Sequence, residues 1–170
     1  DYTLEERWIR DEGYLKIIPD TLARLFKKAR VASSDISHLV IPVVASRTAQ
    51  AVAKQCGIDV AAVADNLQGS CGDTGTAHAL LMLVNTLESA TPGEKIVLVG
   101  FGQGCDAFLF EATTAIANSS TFRGVRAELE KGTTESNYMR FLSYNGAISM
   151  DWGIRGERDT RTALSAFYRN

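Results

Sequence analysis

The side chains best suited to chemistry crowd into one short stretch, Cys71-Gly72-Asp73-Thr74-Gly75-Thr76-Ala77-His78. A carboxylate and an imidazole on consecutive turns can take up and return a proton, so Asp73 and His78 are the candidate catalytic residues. Each has a plainer role open to it. Asp73 is a natural N-cap for the helix that follows, and His78 can pack inside that helix with its nitrogens bonded. Cys71, at the same helix start, is a thiol to be weighed as a nucleophile. A second cluster is made of missing side chains: Gly100-Phe101-Gly102-Gln103-Gly104. Taken alone, such a loop is a tight turn between strands.

These groups need a scaffold. Tyr14, Ile18, Leu22 and Leu25 recur at helical spacing over 5–30, with Lys27, Lys28 and Arg30 at the end where cations oppose the helix dipole; Pro19 kinks or restarts that helix. The apolar run 38–44 reads as a buried strand with a bend at Pro42, and 47–56 as a helix that Gly57 ends in the left-handed conformation. A helix over 74–89 is expected to turn Ala77, Leu80, Leu81, Val84 and Leu87 inward. Strands over 95–101 and 106–112, joined by the glycine loop, pair antiparallel, and 114–134 includes a further helix. The order is α/β: about three strands, with helices on the faces of the sheet. The apolar strands around Val40 and Val97 require both faces to be covered, which points to burial against another half or another chain.

Composition removes several classes of function. The 18 Lys and Arg against 20 Asp and Glu, a formal charge of -2, leave no broad basic surface for nucleic acid or anionic lipid. Three cysteines without CxxC spacing fit reduced thiols in a cytoplasmic protein, with no metal site. No apolar run is long enough to span a bilayer, and the start has no signal-peptide layout. A first residue other than methionine suggests a chain processed or excerpted from something longer.

The wording of 35–58 and 69–113 resembles the C-terminal half of the thiolase superfamily, on the branch of 3-hydroxy-3-methylglutaryl-CoA synthases and ketoacyl synthase III. GDTGTAHALLMLVNTLESATPGEKIVLVGFGQGCDAFLFEAT carries most of it: a GNTG-like turn, a long helix and a glycine-rich strand loop. The resemblance implies a thiolase-like βαβαβ-type half with a mixed sheet, whose nucleophilic cysteine belongs to an N-terminal half absent from residues 1–170. It implies that Gly72, Gly102, Gln103 and Gly104 are substrate-binding residues, the glycine loop bringing a backbone N–H to an oxyanion, and it places no nucleophile at Cys71. In such proteins a histidine and an asparagine stand in an IPHQAN-like turn; here Val43 and Ser46 occupy those positions. Valine can neither move a proton nor donate a hydrogen bond. Asp73 replaces the asparagine or histidine of the second turn, and as an anion it would repel an enolate or alkoxide.

Two functions follow as expectations. One is an acyltransferase half acting on an acyl-CoA or acyl-carrier thioester, with no other cofactor, forming or breaking a C–C bond. The other is a non-catalytic thiolase-fold subunit that supports an active thiolase. The resemblance further implies an N-terminal half or thiolase subunit as partner, a zinc-ribbon/OB-fold module fused or separate, and a homodimer or hetero-oligomer. A stand-alone binding module ranks last, because Asp73, His78 and the glycine loop would have to line a pocket unaided. The aromatic and arginine-rich tail 138–168 reads either as a binding surface or as the irregular end of the domain.

Overall fold

Pro19 decides how the chain enters its first long helix. The structure, a computed structural model, describes residues 6–121 and 124–149. A short turn of helix, α1 (Glu6–Trp8), passes into a π-helical segment, Ile9–Ile17, and then into α2 (Ile18–Ala29). Pro19 has no N–H to give the carbonyl four residues back, and its ring would strike that carbonyl in a regular α-turn. The wider turns just upstream relieve that conflict, so the expected kink takes the form of a change of helix type. Arg30 then stops α2 in the left-handed conformation, φ 56°.

The sheet has the order β1-β2-β3, from His38–Val40, Lys95–Phe101 and Cys105–Glu111. β1 runs parallel to β2, and β2 antiparallel to β3, with Val97 opposite both Leu39 and Leu109. Val63 bridges Leu39 in parallel on the edge of β1 that β2 leaves open. β1 is shorter than its apolar run. After Val40 the chain bends, the Val43 N–H returning to the Ile41 carbonyl at 2.8 Å, and Val44 is 66% exposed. α3 (Ser46–Cys56) follows and ends at Gly57, φ 70°, as the sequence indicates.

β2 sorts its side chains by alternation. Val97 and Val99 join Ile18 and Leu22 of α2 and Val52 and Ala53 of α3 in one buried cluster. Ile96 and Leu98 join Met82 and Val125 in the other. Both faces of the central strand are therefore buried, as its composition requires. Met82 belongs to α5 (His78–Leu87), which is preceded by the short helix α4 (Gln68–Cys71) and a 3-10 turn at Gly75–Ala77.

The expected inward face of α5 needs correction. His78, Met82 and Thr86 are its buried residues, whereas Leu80 and Val84 are 59% and 44% exposed. Apolar residues encircle this helix, so periodicity alone could not choose the side. Burial of the polar pair is permitted because both are bonded: the Thr86 hydroxyl donates to the Met82 carbonyl at 2.9 Å, and both ring nitrogens of His78 have partners.

β3 carries Cys105, Ala107 and Leu109 on the α2 side. Phe108 and Phe110, opposite Leu98 and Ile96, lie on the α5 side, stacked 6.4 Å apart and well exposed. A 3-10 segment, Thr114–Thr121, and α6 (Val125–Glu130) supply the helix expected over 114–134. This α/β arrangement, a mixed sheet with helices on its faces, matches the fold class read from sequence. Contacts divide the chain into two units, Asp1–Gly132 and Thr133–Asn170. The second contains α7 (Tyr138–Tyr144), capped by the Asn137 side chain, which accepts from the Met139 and Arg140 N–H groups. The part of the aromatic tail beyond residue 149 lies outside the described residues.

Candidate functional site

Three loops leave the sheet at one end. β1, β2 and the Val63 bridge are all parallel, so the loops after them, 41–45, 102–104 and 64–72, emerge from the same carboxyl edge. In open α/β sheets that edge is where ligands bind. Topology alone thus gathers the Val43 turn, the Gly72-Asp73 turn and the glycine loop from distant parts of the sequence.

Asn66 ties two of them together. Its side-chain amide donates to the carbonyls of Val43 (3.2 Å) and Val44 (2.9 Å), and its side-chain oxygen accepts from the Gln68 N–H at 3.2 Å. Its own carbonyl accepts from His78 Nε2 at 2.8 Å. His78 Nδ1 in turn accepts from the Thr74 N–H at 3.3 Å and lies 3.1 Å from the Thr74 hydroxyl. A carbonyl can only accept and a backbone N–H can only donate, so these partners assign the neutral Nε2–H tautomer. His78, 2% exposed, fastens the start of α5 to the 64–72 loop.

Asp73 is exposed, and one carboxylate oxygen accepts from the Gly75 N–H at 2.7 Å. It closes the tight turn before the 3-10 segment Gly75–Ala77 and is not the N-cap of α5 that the sequence suggests, since Ala77 holds that position without a side-chain bond. Its second oxygen is uncommitted among the described residues. Gly72 closes α4 at φ 68°, its N–H bonding to the Gln68 carbonyl, a conformation that favours glycine. Gly102, Gln103 and Gly104 form the exposed tip of the β2–β3 hairpin, where the Gly102 N–H bonds to the Gly104 carbonyl at 2.9 Å. Among the described residues no hydrogen bond joins this tip to Asp73 or His78. Val43 is 3% exposed and belongs to the α2-side cluster.

Two residues of this end went unmarked in the sequence. Asn66 looked like one more polar loop residue, although a polar side chain between the apolar Val63 and Leu67 was a hint. Tyr14 was counted only as part of an apolar helix face. Its ring lies 4.9 Å from that of Phe101, the last residue of β2. Burial first, and then the negative charge of Asp73, hold its phenol above the ordinary value.

All three cysteines are free. Burial pushes the Cys56 thiol up to about 11, and burial likewise raises Cys105, so neither is a ready nucleophile. The Cys71 thiol lies 3.5 Å from the Leu67 carbonyl and 3.6 Å from that of Gly72. Among the described residues no cluster of three or more His, Cys, Asp or Glu could hold a metal ion, and no helix is long and apolar enough to cross a membrane.

Residues 26–110 match the family of 3-oxoacyl-[acyl-carrier-protein] synthase III C-terminal domains. The chain belongs to this family. The synthase III match covers β1, the Val43 turn, α5 and nearly all of the β2–β3 hairpin, which are the parts that build the carboxyl edge. Among curated proteins, the hydroxymethylglutaryl-CoA synthase of Caldivirga maquilingensis is 27% identical over 151 residues, covering 87% of this chain and 43% of that protein. The hydroxymethylglutaryl-CoA synthase of Aeropyrum pernix is 30% identical over 146 residues, covering 84% of this chain and 40% of the relative. The chain therefore spans less than half the length of these relatives. Among solved structures, 3-oxoacyl-(acyl carrier protein) synthase III of Pseudomonas aeruginosa PAO1 aligns with a TM-score of 0.58 at 24% identity, over 65% of this chain and 36% of that one. That likeness establishes the fold, and with the family match it makes the chain a thiolase-superfamily domain.

Proposed function

We propose that this chain is the C-terminal half of an acyltransferase that forms or breaks a C–C bond beside a thioester, with acyl-CoA or an acyl carrier as substrate. The observation that carries this reading is the convergence of the Val43 turn, the Asp73 turn and the glycine loop at one carboxyl edge of the sheet. The chain supplies site walls there: backbone N–H groups at the glycine loop and the free carboxylate oxygen of Asp73. The nucleophilic cysteine comes from an N-terminal half, in a cytoplasmic assembly that needs no metal and dimerises as thiolases do.

Buried Val43 favours a second reading. A residue sealed in the core cannot move a proton, and His78 is occupied with structural bonds. On that reading the chain supports an active thiolase subunit, together with a zinc-ribbon/OB-fold module. Acyl-CoA turnover by the complete assembly from its native source separates the two, with Asp73→Asn as the probe. The substitution keeps an oxygen for the Gly75 N–H, so folding is preserved. Altered turnover supports the catalytic reading; unchanged turnover with unchanged stability leaves Asp73 a cap and favours the supporting subunit.

A further inference from the structure

Val43 carries no group that can move a proton or donate a hydrogen bond, yet a hydroxyl stands at the same end of the sheet. Tyr14 lies in the π-helical segment Ile9–Ile17, an uncommon conformation that is frequent at functional sites. Two contacts fix its position. Its ring packs on Phe101 with centroids 4.9 Å apart and planes at 47°. The preceding Gly13, itself buried, lies against the same ring so closely that a Cβ there would come within 2.9 Å of Phe101 Cζ. Phe101 ends β2 and leads directly into Gly102-Gln103-Gly104. Tyr14 also packs against the buried cluster that contains Val43. Both Phe101 and Val43 stand at the carboxyl edge, so these contacts bring Tyr14 there too, from a helix far away in the sequence.

The hydroxyl of Tyr14 bonds to no other described residue, and because no buried side-chain oxygen among them lacks a partner it is open to solvent. A solvent-open hydroxyl at the edge of an apolar cluster can exchange its water for an acceptor on a ligand. A phenol at its ordinary value of 10.0 already carries its proton at neutral pH, and burial, then the charge of Asp73, raise Tyr14 further, so it offers an O–H. An O–H of this kind suits an acyl oxygen, which accepts in the ground state and gains negative charge as a thioester reacts.

We propose that Tyr14 is a substrate-contacting residue whose phenol O–H donates to the carbonyl oxygen of the bound thioester, a donor role that Val43 cannot fill. The inference rests on the thioester reading above. The charge of Asp73 acts on the same phenol, which sets the Asp73 turn near it.

The test is binding of acetyl-CoA and of free CoA to the complete assembly by calorimetry, for the native protein and for Tyr14→Phe. Phenylalanine keeps the ring on Phe101 and removes only the oxygen. The expected result is acetyl-CoA binding weakened roughly three- to tenfold, the value of one hydrogen bond, with CoA binding unchanged. Loss of both affinities in equal measure, or of neither, overturns the contact and leaves the thioester reading standing. A native assembly that binds neither ligand overturns the thioester reading and this inference together. A second readout is independent of ligand: the tyrosinate absorbance missing in Tyr14→Phe should titrate above the ordinary 10.0 and move down in Asp73→Asn. No such movement would remove Asp73 from the vicinity of the phenol.

Discussion

The two faces of the sheet are finished differently. On one, α2 and α3 cover Val97, Val99, Leu39 and Ile41, and Ile18 and Leu22 are fully buried beneath them. On the other, α5 covers Ile96 and Leu98 but presents Leu80 and Val84 outward, and Phe108 and Phe110 extend beyond its reach. An open groove of about 520 Å³ runs along this outer side of α5, lined by Leu80, Val84, Val125 and Leu129. A helix apolar all round belongs inside a protein. The strand composition is satisfied within the chain on both faces, with Val40, Ile96, Val97 and Val99 all fully buried, so it calls for no further half; what stays open on the second side is the outer face of α5.

Four substitutions break or sharpen that contrast. The largest effect is expected at Leu22→Ala, on the closed face, where a cavity beneath α2 should cost about 2–5 kcal/mol in urea unfolding. A loss below about 1 kcal/mol would show that face to be loosely packed. Next is His78→Ala, on the partly open face. It removes the bonds to the Asn66 carbonyl and the Thr74 N–H, and should cost about 1–3 kcal/mol. Amide exchange should also quicken in the 64–72 loop, and unchanged exchange would mean that Asn66 does not depend on His78.

Glu94 tests the opposite end of the sheet from the candidate site. The Thr91 N–H at 2.6 Å, and secondarily His38 at 3.1 Å, hold its carboxylate below the ordinary 4.5. The folded state therefore binds this proton more weakly than the unfolded state. The stabilisation is fully present above 4.5 and is lost as the pH falls through the lower folded-state value. Glu94→Gln should reduce stability modestly at neutral pH, and the difference from the native protein should shrink in acid. A difference that does not vary with pH would exclude an ionic contribution. The smallest effect belongs to Leu80→Ala: within about 0.5 kcal/mol for this chain alone, as for an exposed position. In the complete assembly the same change should cost more, because a partner would bury that side chain.

Much of this was legible in the sequence because the decisive signals were local. The apolar strand after Thr91-Pro92-Gly93-Glu94, the glycine that ends α3 and the hairpin at Gly102-Gln103-Gly104 follow from residue type and spacing. Asp73 did not follow in the same way: it bonds the Gly75 N–H within its own turn, and α5 begins five residues later, after Ala77. The orientation of α5 did not follow, because apolar residues on every side leave periodicity without a preference, and the buried polar pair, His78 and Thr86, reads as an outward face until its bonds are known. β1 ended earlier than its apolar run because Val43 turns back onto Ile41. Asn66 and Tyr14 were hard to read for another reason: their importance lies in contacts with residues far along the chain, and the polar type of Asn66 beside Leu67 is the one local hint.

The central claim is that this chain is the thioester-site wall of a condensing enzyme whose nucleophile lies elsewhere. The most direct measurement is to treat the complete assembly from its native source with isotopically labelled acetyl-CoA and locate the acyl group by peptide mass analysis. The account predicts label on a cysteine outside residues 1–170, with Cys56, Cys71 and Cys105 unlabelled. Label on Cys71, or no acyl transfer to any cysteine of the assembly, would contradict it.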